Sequence, residues 1–404
     1  MKKSALYTVF LVVLIDLMGF GIVLPLLPFY ASQFGASAVS IGLLYSVYSF
    51  AQLLFSPIWG GFSDRIGRRP IMLLSTLGSF LAYLIFAYSN SFGILFFSRL
   101  LAGVMGGNIS TAQAYVADVT EHDDRVKGMG LLGAAFGIGF IVGPGLASLL
   151  VHPAVTHLLP LENKYALPGF AAALMSALSF LLVLMKLPET VDKKCASGAS
   201  GKARPSVFAP SFWKSLARQG RSSEAHVLPL LFGSMFLLSF GQASLYSTFP
   251  LFCSRELGLT AEKVGMQFVY MGLAAALIQG VFLKRLEKIF GEKRLFLAGG
   301  VLMAGGLALI PFAPSAPFLT AFLLVMAIGG SLNMPILNSL ISKKAQPAQM
   351  GAMMGSSQGL AALGRMIGPT WGGLLFGVSF KHPFLVTALL VSLTIFTSPK
   401  LEKS

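Results

Sequence analysis

Gly61-Phe62-Ser63-Asp64-Arg65-Ile66-Gly67-Arg68-Arg69-Pro70 is a short charged interval in an otherwise apolar reach of sequence. Residues 17 to 63 before it carry no charge at all, and a further apolar run near 70 to 89 follows it. A bilayer core about 30 Å thick needs about 20 apolar helical residues per crossing, so this decapeptide reads as a loop joining two membrane helices. Its glycines allow a tight turn, and Pro70 suits the first turn of the next helix. Working outward, twelve runs of that length fall near 7 to 30, 38 to 60, 70 to 89, 92 to 117, 128 to 150 and 165 to 187, then 228 to 252, 264 to 283, 294 to 313, 317 to 341, 351 to 377 and 383 to 398. Ala31-Ser-Gln-Phe-Gly-Ala-Ser37 divides the first two.

The composition agrees. Of 404 residues, 55% are hydrophobic and 11% charged, against about 25% charged in soluble chains. The 44 glycines would weaken soluble helices, yet small residues let helices pack closely in lipid. β-Barrel crossings alternate polar and apolar residues over about ten positions, whereas these runs are apolar on all sides. The prediction is an all-α polytopic membrane protein with twelve transmembrane helices. Met1-Lys2-Lys3 ahead of an apolar stretch imitates a secretory signal, but Asp16 interrupts that stretch and its length exceeds the usual span of roughly 7 to 15 residues. It is therefore expected to be retained as the first crossing.

Lys and Arg counts in alternate loops set the orientation. With the amino terminus in the cytoplasm, 24 lie on that side and 4 (Lys164, Arg255, Lys263, Lys381) on the other, with Arg99 and Arg365 inside the membrane region. Both termini are then cytoplasmic, and the short loops suggest a multi-pass protein of a cell inner membrane, expected to be a monomer. The net charge of +15 reads as topology and attraction to the lipid bilayer. Nucleic acid is not an expected partner, because the basic residues are dispersed among loops.

Residues 188 to 225, opening Pro188-Glu189-Thr190, form the one long polar stretch. They are read as a cytoplasmic linker between an N-terminal six-helix bundle (1–187) and a C-terminal one (226–404), with a short amphipathic piece near Ser211 to Gln219. The halves echo one another at an offset of 225: Pro25 with Pro250, Asn108 with Asn333, Gln113 with Asn338, Gly130 with Gly355, Gly139 with Gly364, and Gly143-Pro144 with Gly368-Pro369. Seven positions in one register argue for duplication, and parallel repeats around a midplane site are a recurrent transporter plan.

Asp16 is the sharpest chemical feature. It stands about twelve residues into its crossing, near the bilayer midplane at about 1.5 Å per residue. A charged Asp there costs about 3 kcal/mol on insertion scales, so it should face a polar cavity or a partner. Carrying a proton is a natural use for it; a structural carboxylate satisfied by neighbouring helices is the alternative. Arg99, in the fourth crossing, is the candidate partner, since its guanidinium is always charged. Arg365 is the second intramembrane cation. In the loop, Gly61, Asp64, Arg65, Gly67, Arg68 and Arg69 could form a gating latch with Asp118 at the end of the fourth crossing. Positive-inside topology alone accounts for the arginines but not for Asp64 or the glycine spacing.

These residues carry a resemblance. Gly61-x-x-Asp64-Arg65-x-Gly67-Arg68-Arg69 resembles the signature loop of the major facilitator superfamily. Arg99-Leu-Leu-Ala-Gly103 resembles its fourth-crossing arginine motif, and Gly139-x-x-x-Gly143-Pro144 its antiporter motif in the fifth crossing. Asp16-Leu-Met-Gly-Phe-Gly-Ile-Val-Leu-Pro25-Leu-Leu-Pro28 and Ala114-Tyr115-Val116-Ala117-Asp118-Val119-Thr120 are similar to the tetracycline/proton antiporter branch. That resemblance implies a major facilitator fold and an antiporter role for Gly139, Gly143 and Pro144, which are expected in gating together with Arg365; Asp16 and Arg99 are expected in proton coupling. It also implies that the first, fourth, seventh and tenth crossings line a cavity. That nominates Asn108, Gln113, Gln242, Tyr246, Asn333 and Asn338 to face substrate, although each could instead bridge neighbouring helices. Tetracycline exporters carry an acid in the third crossing, where this chain has Ser79-Phe80-Leu81-Ala82-Tyr83, so their substrate does not transfer directly. The second-half loop Lys284 to Arg294 is a degenerate echo without the Asp.

Other classes find little support. Gly355-Ser356-Ser357-Gln358-Gly359 matches a hydrolase pattern that needs a strand-to-helix elbow, and Asn108-Ile109-Ser110 matches a sequon that lies within the membrane. His152 and His157 lack the further ligands of a metal site, and Cys195 and Cys253 form no framework. No phosphate-cradling loop is present, so ATP is not expected to power the work and no cofactor is expected; the resemblance implies a proton gradient as the energy source. The expectation is proton-coupled efflux of an amphiphilic or drug-like small molecule by alternating access. A symporter or facilitator importing a nutrient, and a polytopic receptor or scaffold, are the alternatives; an enzyme is not expected.

Overall fold

Backbone groups in hydrocarbon must be satisfied internally, so uncharged apolar runs of this length form helices. The computed structural model describes residues 2–106, 108–120, 125–158, 163–190, 227–344 and 350–397, and every regular element among them is helical. The order is α1 (Lys2–Gln33), α2 (Ala38–Ile66), α3 (Arg68–Ala87), α4 (Phe92–Met105), α5 (Asn108–Val119), α6 (Arg125–Leu150), α7 (Pro153–Leu158) and α8 (Ala166–Lys186). It continues with α9 (Val227–Leu257), α10 (Ala261–Leu277), α11 (Leu283–Phe290), α12 (Glu292–Leu309), α13 (Ala316–Lys344), α14 (Met350–Val378) and α15 (His382–Ser392). A π-helical turn, Ile278–Phe282, joins α10 to α11. Ten spans are long and apolar enough to cross a bilayer by length and composition. The 29-residue α14 and the shorter α15 bring the crossings to twelve. Gly35, at φ +69°, makes the turn between α1 and α2. The expected amphipathic piece at Ser211 to Gln219 and most of the expected linker lie outside the described residues.

The fourth crossing departs from the single run expected: α4 stops at Met105 and α5 starts at Asn108. Glycines at 106 and 107 are poor helix formers, and a break frees carbonyls that a bilayer cannot hydrate. Side chains of α2 and α3 satisfy them. Trp59 Nε1 donates to Val104 O at 2.6 Å, Gln52 Nε2 to Gly106 O at 3.4 Å, and the Ser75 hydroxyl to Met105 O.

The chain forms two compact units. The first comprises Met1–Ala36, Val47–Lys202 and Leu259–Val269, the second Ser37–Ser46, Ala203–Gly258 and Tyr270–Ser404. In the first, Val9, Val12, Val13 and Leu17 of α1 pack with Tyr115 and Val116 of α5 and Ala135 of α6. In the second, Phe252 of α9 meets Phe384 of α15 edge-on at 5.3 Å, and the Ser46 and Thr370 hydroxyls lie 2.7 Å apart.

Glycines in the repeat register set the closest approaches within each unit. A Cβ on Gly143 of α6 would lie 2.7 Å from both Gly21 Cα and Met18 O of α1, and one on Gly139 would meet Leu17 at 2.7 Å. At the corresponding positions of α14, Gly364 and Gly368 would meet Phe236 O at 2.7 Å and Phe240 O at 2.5 Å on α9. The obstacles are largely backbone, which cannot rotate aside. Gly143→Leu should therefore destabilise the protein by about 1–3 kcal/mol through overpacking. Gly137→Leu, six residues earlier on the same helix with nothing within 4 Å of its would-be Cβ, should not. Thermal unfolding in detergent micelles checks the contrast.

Candidate functional site

Two clusters of charged residues stand in the first unit. The inner one is built on α1, α3 and α4. Arg99 is 3% exposed, its guanidinium carbon 4.8 Å from the centre of the Phe86 ring and 5.7 Å from that of Tyr83, and its Nε donates to the Ser98 hydroxyl at 3.3 Å. Ring faces attract a guanidinium more strongly where water is excluded. Tyr83, itself 5% exposed, lies within electrostatic reach of Asp16, Arg99 and Tyr48. Gly19, three residues after Asp16, lets the Tyr83 hydroxyl approach α1: a Cβ there would lie 3.1 Å from the phenol oxygen. Asp16 is half-buried. One phenol of α3 thus stands beside both the acid of α1 and the cation of α4, in the third-crossing stretch that held no acid.

The outer cluster sits where α2 ends and α3 begins. Gly67, at φ +118°, makes the turn, and Arg68 folds inward to 8% exposure. Its Nε donates to Asp118 Oδ2 at 3.0 Å and its Nη1 to the Ser63 hydroxyl at 2.6 Å; Asp64 also pairs with it. Glu189 then caps α3, accepting from the backbone amides of Arg68 at 2.8 Å and Arg69 at 3.1 Å, where a carboxylate meets the positive end of the helix dipole. Thr190 donates to Asp118 at 3.1 Å, Arg69 to Leu184 O at 2.7 Å, and Tyr115 to Pro188 O at 2.9 Å. Asp64, Arg68 and Asp118 are thereby brought together. Arg65 is exposed and Gly61 has open space around it.

The second unit joins a helix start to the end of a later crossing with a different ion pair. Lys343, 225 positions after Asp118, donates to Glu292 at 2.7 Å, and Ser339 donates to the other carboxylate oxygen at 2.5 Å. Among the polar nominees, Gln242 Nε2 donates to the Tyr246 hydroxyl at 2.7 Å, and Arg365, exposed on α14, bears electrostatically on that tyrosine. Asn333 is wholly buried. In the amide orientation that satisfies both ends, it donates to Phe296 O at 2.9 Å and accepts from Gly300 N at 3.0 Å, tying α13 to α12. Asn338 Oδ1 is buried without a hydrogen-bond partner among the described residues, and Gln113 is exposed on α5. The side chain of Asn108 lies outside the described residues. Ser356 and Ser357 sit within the uninterrupted α14, which offers no elbow.

The sequence profile described as the Major Facilitator Superfamily matches residues 9–285 and 231–400. The chain belongs to this superfamily. It is 29% identical to the tetracycline resistance protein, class B, of Escherichia coli, over 97% of this chain and 96% of that one. It is 28% identical to multidrug resistance protein 2 of Bacillus subtilis (strain 168), over 97% and 95%. A crystal structure of the human organic anion transporter MFSD10 (TETRAN) aligns with TM-score 0.70 and 26% identity, covering 98% of this chain and 99% of that chain. The protein is a twelve-helix, multi-pass membrane transporter for small molecules and not an enzyme.

Sequence reasoning did not single out Tyr83 or Glu189. Tyr83 stood in the stretch noted for lacking an acid, and Glu189 was assigned only to the start of the linker. A carboxylate immediately after a predicted crossing, with a Gly-Arg-Arg-Pro helix start elsewhere, was the available signal. Gly67 and Glu189 act on one cap: a Cβ on Gly67 would lie 2.3 Å from Glu189 Oε2. Glu189→Ala should cost about 0.5–2 kcal/mol of stability. Gly67→Ala, which adds a left-handed backbone penalty of about 1–2 kcal/mol, should dislodge the same carboxylate. In a double-mutant cycle read by thermal unfolding, the two losses should therefore sum to less than additivity by more than about 0.5 kcal/mol.

Proposed function

We propose that this superfamily member exports amphiphilic small molecules across a cell inner membrane in exchange for protons, by alternating access, with both termini cytoplasmic. The carrying observation is that the Tyr83 phenol lies against α1 at Gly19, one turn from Asp16, while the Arg99 guanidinium stands 5.7 Å from its ring in the interior of the first unit. A carboxyl group that changes ionisation state beside a permanently charged guanidinium is a coupling element. When Asp16 is ionised, Arg99 and the phenol stabilise it. When it takes a proton, that attraction is lost and the helices carrying the three groups are released from it. The outer cluster around Arg68 is the gate in this reading, because its ion pairs join the ends of α2, α3 and α5 to the segment after α8. Support also comes from the relatives, whose names span tetracycline resistance, multidrug resistance and organic anion transport, and from the Lys/Arg asymmetry of the loops.

The test is reconstitution in proteoliposomes under an imposed pH gradient, using a compound chosen from a growth-inhibition panel. Wild type should accumulate it against its gradient. Asp16→Asn should abolish accumulation while downhill exchange continues. Undiminished gradient-driven accumulation by that variant would remove Asp16 from the coupling mechanism.

A further inference from the structure

α14 shows two exposed stripes. Ile367, Trp371, Leu374 and Val378 form one, at 42%, 37%, 51% and 75% exposure. Gln358 and Arg365 are the exposed polar positions of another face, on which Ala361, Pro369 and Gly372 are buried; seven residues apart, they share that face of a 3.6-residue helix, and each apolar member of the first stripe lies more than a quarter-turn round from Arg365. A membrane helix turns its apolar stripe to lipid, so the polar stripe lines an aqueous space. Arg365 stands 15 residues after Met350 and 13 before Val378, about 20 Å from either end at about 1.5 Å per residue, too deep to reach lipid headgroups.

The neighbours of Arg365 suit one ligand chemistry. Gly364 and Gly368 hold α14 against α9. Ser247 of α9 donates to Pro369 O at 3.3 Å, and its neighbour Tyr246 has its phenol fixed by Gln242 at 2.7 Å on the helix that packs against Gly364 and Gly368. A guanidinium, a phenol and an amide on two facing helices are a donor set for a carboxylate or similar oxyanion. The sequence holds no Asp or Glu from Val227 to Phe252 or from Lys293 to Lys400, so the fixed charge of these helices attracts anions and opposes cations. We propose that Arg365, Tyr246 and Gln242 form a binding site for the anionic group of an amphiphilic organic substrate. The proposal rests on the transport reading above and adds the charge class of what is carried.

Fluorescein and rhodamine 123, three-ring dyes of similar size and opposite charge, provide the test by fluorescence polarisation, using purified protein in nanodiscs with empty nanodiscs as blank. Wild type should bind fluorescein at least about tenfold more tightly than rhodamine 123. Arg365→Gln should weaken fluorescein about tenfold or more, the loss expected for a hydrogen bond to a charged group, and leave rhodamine unchanged. Arg365→Lys, which keeps the charge but not the planar fork, should fall between them. Tyr246→Phe should weaken fluorescein less, and serves if the arginine variants do not fold. Equal affinity for the two dyes, binding of neither, or unchanged fluorescein affinity in Arg365→Gln and Tyr246→Phe would overturn the proposal. Anion-selective binding without pH-gradient-driven movement would sink proton coupling and leave this site standing. Gradient-driven movement of rhodamine with no Arg365 dependence would do the reverse.

Discussion

A guanidinium cannot shed its charge, and Arg99 keeps that charge at 3% exposure in a membrane helix. The surroundings must supply what water no longer does, and this requirement organises three helices. α3 must bring Phe86 and Tyr83 over the cation, which fixes its rotation against α4. Tyr83 then has to fit beside α1, and Gly19 leaves the room. Asp16 lies in reach of the same phenol, so an acid that would be costly by itself shares the polar environment the arginine already demands. The coupling chemistry read into this unit is therefore an extension of how it solvates a buried cation.

A second buried arginine is treated differently. Arg68 is held by carboxylates and a hydroxyl, at a helix start whose own amides are capped by Glu189. Two positive features, the guanidinium and the helix amino terminus, are neutralised by three acids drawn from α2, α5 and the segment after α8. In the second unit the same joint between a helix start and the end of a later crossing is made by Glu292 and Lys343. The carboxylate that meets Lys343 comes from the position that corresponds to Gly67, while Arg68 corresponds to Lys293, so the joint is kept with an exchange of the residues that make it.

That exchange explains part of what the sequence concealed. The twelve crossings, the repeat and the grouping of Asp64, Arg68 and Asp118 were legible, because apolar run length, glycine register and the spacing of loop charges are local properties. The second-half loop was read as degenerate because it lacks an Asp; its partner Lys343 lies 51 residues after Glu292, and no local pattern links them. Tyr83 was hidden for a similar reason, since a tyrosine in an apolar run looks like core until the helix beside it is known to carry Arg99. Asn333 read as cavity-facing because the resemblance puts the tenth crossing on the cavity, whereas its amide is spent on the α12 backbone, the bridging role given as the alternative. The break after Met105 depended on Trp59, Gln52 and Ser75, three donors that only tertiary packing brings to one place.

The two halves share packing at the repeat register and differ in chemistry. The glycines that let α6 meet α1 recur where α14 meets α9, because a backbone contact tolerates no larger residue in either copy. The intramembrane charges do not recur. At the repeat offset, Asp16 corresponds to Gly241, Arg99 to Leu324 and Arg365 to Phe140. Each charge at that depth costs about 3 kcal/mol on insertion scales, so a second copy would add cost without a task, whereas a glycine at a tight crossing meets the same steric demand in both halves. The acid and its arginine therefore remain in one copy and the exposed arginine in the other. The proposed proton site and the proposed anion site are thus built from different side chains on different halves, so coupling between them has to pass through movement of the helices and not through a shared group.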